Sequence, residues 1–76
     1  MAWNKHKSLK QGLNGIRLFV RGNEWYAEFV GPHADRVRHA FGGTAVLPTP
    51  YRSNAPASLV IDSVRRKNPD CFVELQ

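Results

Sequence analysis

The stretch Ile16-Arg17-Leu18-Phe19-Val20-Arg21-Gly22-Asn23-Glu24-Trp25-Tyr26-Ala27-Glu28-Phe29 constrains the fold more than any other part of this chain, because it specifies a β-hairpin together with its register. Gly22-Asn23 reads as a two-residue turn, and glycine at its first central position suits type II′, where φ is positive and a Cβ would clash. Folding about this turn opposes Arg21 to Glu24, Phe19 to Tyr26 and Arg17 to Glu28 on one face. The other face then pairs Val20 with Trp25, Leu18 with Ala27 and Ile16 with Phe29. The second face is wholly apolar and points to a core. The first sets two opposite-charge pairs around an aromatic pair, each cross-strand pair contributing about 0.2–1 kcal/mol.

Downstream, Pro32 follows Gly31 and suits a first helical turn, where a missing N–H costs nothing. Ala34, Val37, Ala40 and Phe41 then recur at helical spacing until Gly42-Gly43 ends the helix. Thr44 to Leu47 reads as a brief strand, and residues 48–54, with Pro48 and Pro50, as a loop. A second helix has Ser53 or Asn54 as its cap, Pro56 in its first turn and the apolar stripe Ala57, Val60, Ile61 and Val64. Asn68-Pro69-Asp70 turns the chain into a terminal strand, Cys71 to Leu75.

The order strand, strand, helix, strand, helix, strand implies an α+β domain. We expect a small mixed sheet of three to four strands, opening with the antiparallel hairpin and covered by two short helices, its strand-helix-strand units favouring parallel pairing. Residues 14–76 are expected to form this single compact domain. Residues 1–13, with Lys5, Lys7 and Lys10 but no sustained periodicity, are expected as a mobile basic arm. The alternative is that Trp3 and Leu9 fold back over the outward Phe19/Tyr26 pair, which a small domain does not readily leave wet.

A chain of 76 residues buries only about 60–65% of its unfolded surface, and here it does so without staples. Its single cysteine, Cys71, excludes an internal disulfide and fits a reducing compartment, so a cytoplasmic location is expected. No apolar run approaches the roughly 18 residues that span a bilayer, and the first residues lack the apolar stretch of a secretory signal, so a soluble protein is expected. Eleven Lys and Arg against six Asp and Glu give a net charge of +5, which favours acidic partners and nucleic acid above all. The hairpin glutamates answer Arg17 and Arg21. The remaining cations are Lys5, Lys7 and Lys10, then Arg36 and Arg38, the isolated Arg52, and Arg65, Arg66 and Lys67.

Catalytic and metal chemistry finds little purchase. His6, His33, His39, Cys71, Asp35 and Asp70 show no ligand spacing, and His33 and His39, six residues apart, fall on different helix faces. No metal or other cofactor is expected. Cys71 opens an apolar strand and reads as a small hydrophobe rather than a nucleophile. Gly42-Gly43 follows a helix, whereas a phosphate-binding loop follows a strand and opens a helix. A small metal-independent RNase of the toxin kind needs only a poised histidine and a cation beside a phosphate, for which His33 or His39 with Arg36 and Tyr51 are the candidates.

The reading that uses most of these features is a non-enzymatic module that contacts DNA or RNA. Lys5, Lys7, Lys10, Arg36, Arg38, Arg52, Arg65, Arg66 and Lys67 are its phosphate-binding candidates. Trp3, Phe19, Tyr26 and Tyr51 supply flat surfaces for unpaired bases or for a protein partner. Against it stands the plainer reading that Arg65, Arg66 and Lys67 only complement the negative end of their helix, one turn after Asp62. The alternative function is a protein-interaction module, such as a phage or mobile-element inhibitor that docks on a nucleic-acid-handling complex in the manner of anti-CRISPR proteins. Either is compatible with a monomer or with a homodimer paired through the terminal strand.

Overall fold

The computed structural model describes residues 14–76. Four strands, β1 (Gly15–Arg21), β2 (Glu24–Val30), β3 (Val46–Arg52) and β4 (Phe72–Leu75), form one sheet in the order β3-β2-β1-β4. Helix α1 (Pro32–Ala40) lies between β2 and β3 in sequence, and α2 (Ala57–Lys67) between β3 and β4. The architecture is thus the expected mixed sheet with two helices.

The hairpin adopts the register dictated by its turn: Arg21 opposes Glu24, Phe19 opposes Tyr26, Arg17 opposes Glu28, and the pairing runs on to Gly15 and Val30. Gly22 has φ 62°, and no non-glycine residue among those described has positive φ, so Asn23 excludes type I′ and the turn is II′. Ile16, Leu18, Trp25 and Ala27 on the apolar face pack with Val73 of β4 against Val60 and Val64 of α2, and Phe29, Tyr51, Ala57 and Ile61 close the periphery. Ile16 and Val60 are fully buried. The Trp25 indole N–H donates to the Ala55 carbonyl at 3.2 Å, tying β2 to the segment that leads into α2.

Four local expectations are corrected. First, β3 runs straight through Pro48 and Pro50. It is an edge strand, and the Phe29 N–H to Ala45 carbonyl bond sets the alternation so that Leu47 faces β2 while Pro48 turns its missing donor outward. Near the irregularity, the Thr49 hydroxyl donates to the Trp25 carbonyl at 2.9 Å. Secondly, Ser53 and Asn54 do not cap α2; its N-cap is Pro56, whose carbonyl accepts from Leu59 and Val60.

Thirdly, Ala34 and Val37 bury the inner side of α1, but Ala40 is exposed and Phe41 is 56% exposed, so the stripe stops a turn early. Gly42, at φ 73°, then leads Gly43 to donate to the Arg38 carbonyl, the six-to-one bond of a Schellman ending. Fourthly, the β2-α1-β3 unit is antiparallel. β1 and β4 form the parallel pair, and α2 carries the chain across the sheet between its two edge strands.

Candidate nucleic-acid interface

Helix α2 packs on the apolar face of the sheet, and α1 sits on the same side, where its His33 ring meets Phe29 edge-on at 5.3 Å. Among the described residues the opposite face carries no helix. Its side chains are Arg17, Phe19 and Arg21 of β1, Glu24, Tyr26 and Glu28 of β2, Val46, Pro48 and Arg52 of β3, and Phe72 and Glu74 of β4, as register and alternation require.

The charges on this face take partners other than their opposite numbers in the hairpin. Arg17 reaches Glu74 of β4 at 3.3 Å rather than Glu28, which accepts from the Gln76 amide at 3.1 Å. Glu24 accepts from the Tyr26 hydroxyl at 3.3 Å. Arg21 leaves Glu24 and lies over the aromatic pair, its guanidinium carbon 5.2 Å from the Phe19 centroid and 5.3 Å from that of Tyr26. The two rings are 5.8 Å apart and inclined by 17°. Among the described residues Arg21 is therefore not consumed by an ion pair. A signal for this was present, since residue 21 shares a face with residue 19 and is the diagonal neighbour of residue 26.

The helix-borne cations divide. Arg38 is held by Asp35 at 2.7 Å, an exposed pair of little energetic weight. Arg36, Arg65, Arg66 and Lys67 make no ion pair among the described residues, and Asp62 does not engage the arginines that follow it. Arg36 and His33 line a polar cavity of about 290 Å³ with Asn14, Asn68, Asp70 and Cys71. Asn14 is the junction here: its side-chain oxygen accepts from the His33 backbone N–H at 2.7 Å and its carbonyl from the Phe72 N–H at 3.0 Å. The first described residue thus lines this cavity together with Asn68, the C-cap of α2. Arg52 stands apart, across from Glu24 at the hairpin end of the sheet. Lys5, Lys7, Lys10 and Trp3 lie outside the described residues.

Tyr51 does not belong to the aromatic face to which the sequence assigned it. It turns towards α2 and lines an apolar groove of about 160 Å³ with Phe29, Leu47, Val64 and Lys67. The RNase candidates are likewise not gathered, because His33 and Arg36 share the polar cavity, Tyr51 lines the groove and His39 lines neither. Among the described residues no three His, Cys, Asp or Glu side chains come together as a metal site. Burial pushes the Cys71 thiol up from its ordinary range and the Asp70 charge adds to this, so the thiolate is disfavoured at neutral pH. No described helix is long and apolar enough to cross a membrane.

No protein family, curated protein or solved structure matches the chain.

Proposed function

We propose that this chain is a small non-enzymatic module that binds nucleic acid, holding phosphates with Lys5, Lys7 and Lys10 and with the helix-borne Arg36, Arg65, Arg66 and Lys67. The observation that carries this reading is that Arg36, Arg65, Arg66 and Lys67 make no ion pair among the described residues. Residues 1–13 contain three lysines and no acid, so they hold three of the net five positive charges, and in sequence they lead to Asn14. That junction shares its cavity with Arg36 and with Asn68, which directly follows Arg65, Arg66 and Lys67. Asp70 lines the same cavity but makes no ion pair among the described residues; cations left without carboxylate partners favour a polyanion, whose neutralised phosphates release counterions. The single cysteine, with its thiol held protonated, suits action in the reducing cytoplasm.

Fluorescence anisotropy with labelled oligonucleotides at low and physiological salt tests the proposal. Binding should fall steeply with salt. Lys7→Glu with Lys10→Glu should weaken every sequence alike and flatten the log–log salt slope by about 1.4–1.8, the loss of two phosphate contacts. Unchanged affinity in the double variant, or no wild-type binding at low salt, overturns the reading.

A further inference from the structure

We infer that the face of the sheet that carries no helix among the described residues is a stacking platform for unpaired nucleobases, with Phe19 and Tyr26 as its floor, so that the strand bound is single; this rests on the nucleic-acid reading above. The two rings stand on β1 and β2, the inner strands of the order β3-β2-β1-β4, in directly opposed register. Their planes are nearly parallel, and Pro48, exposed, is the register neighbour of Tyr26 on β3. Both rings are half-buried, and a sheet whose inner strands present aromatic residues in this way is a surface on which successive bases stack, because every base has a π-face.

The occupant is argued from what the rings already hold. The Arg21 guanidinium is a flat, delocalised cation lying over both rings at 5.2 and 5.3 Å, so the site accepts a planar π group of the kind a base presents. An arriving base either displaces Arg21 or stacks beside it, and the freed guanidinium then meets the adjoining phosphate. Arg52 is exposed on the same face at the same end. Of the carboxylates on this face Glu74 is paired with Arg17, while Glu28 and Glu24 accept only from neutral donors, the Gln76 amide and the Tyr26 hydroxyl, and keep their charge, so the phosphates must run on the side of Arg21 and Arg52. A duplex hides its base faces and shows only their edges in the grooves, so the rings have no base face to stack on there. The platform therefore selects unpaired strands.

The test uses the full chain and its Phe19→Leu/Tyr26→Leu variant, which keeps apolar side chains but removes both π-faces. Affinity is measured for labelled oligo-dT, oligo-U and a duplex of matched phosphate number at one salt concentration. The wild type should prefer the single strands, and the variant should lose about tenfold or more on them while its duplex affinity and salt slope stay unchanged. The two single-strand arms separate DNA from RNA. Photocrosslinking of wild-type protein to oligonucleotides carrying 5-iodouracil, with the attachment read by mass spectrometry, needs no variant; attachment at Phe19 or Tyr26 supports the platform, and attachment confined to other residues refutes it. Equal single-strand affinity of wild type and variant, still salt-sensitive, removes the platform and leaves the phosphate reading standing. No wild-type binding to any oligonucleotide at low salt removes both and leaves the aromatic face to a protein partner.

Discussion

Replacing Gly22 isolates the contribution of backbone handedness to this fold. Gly22 has φ 62°, and a Cβ built on it meets nothing within 4 Å beyond its own chain neighbours, so an alanine there neither clashes with nor packs on the rest of the fold. Only the conformational term remains, which for an L-residue held at positive φ is about 1–2 kcal/mol. For a domain of this size each kcal/mol lowers Tm by about 4–8 °C, so Gly22→Ala should melt roughly 4–16 °C below the wild type. The mirror-image residue separates this cause from any other. With D-alanine at position 22, introduced by chemical synthesis, the positive φ is the preferred one and the unfolded chain loses freedom, so stability should rise by about 0.4–1 kcal/mol. Circular dichroism melts of the three chains give the comparison. If L- and D-alanine destabilise alike, the II′ turn does not set the hairpin and the argument fails.

Trp25→Phe should cost about 2 kcal/mol, combining the lost hydrogen bond to Ala55, near 1 kcal/mol, with the smaller ring in a packed core; urea unfolding checks it, and a midpoint unchanged within error contradicts the tie between β2 and the start of α2. The folded state holds the Cys71 proton more tightly than the unfolded chain, whose thiol titrates near 9.0, so stability should fall as pH rises through and above that value. Iodoacetamide labelling of the folded protein should show its midpoint above that value and shift downwards in Asp70→Asn; a midpoint at or below it contradicts the assignment of burial as the cause.

The hairpin was legible in the sequence because three independent signals coincide there: a glycine that needs positive φ, strict alternation, and opposed charges that fit only one register. Its ion pairs were not, because long side chains choose among more than two strands. Arg17 finds Glu74 on β4, and Arg21 finds the rings. The strand through Pro48 and Pro50 was hidden for a related reason. Proline reads locally as a breaker, and only the place of β3 at the sheet edge makes its missing N–H harmless. The antiparallel return after α1 also depends on tertiary placement, since the Phe29 to Ala45 bond starts β3 at the end of the sheet where β2 stops. Of the candidate site, the residue types were legible but not their grouping. Asn14 carried no signal of its own, yet its two hydrogen bonds bring the start of the described chain beside Arg36 and the end of α2. Tyr51, an aromatic like the others in composition, is taken to the opposite side by the parity of β3 and its packing on the core.

The most direct test of the central claim is a ¹H–¹⁵N correlation titration of the full chain with oligo-dT and oligo-U at low salt. Shifts are expected that saturate at Asn14, Arg36 and Arg65 to Asn68, together with Phe19, Arg21 and Tyr26 on the sheet face opposite α2, and that reverse on addition of salt. Spectra unmoved at these positions, or shifts confined to other surfaces, would contradict it.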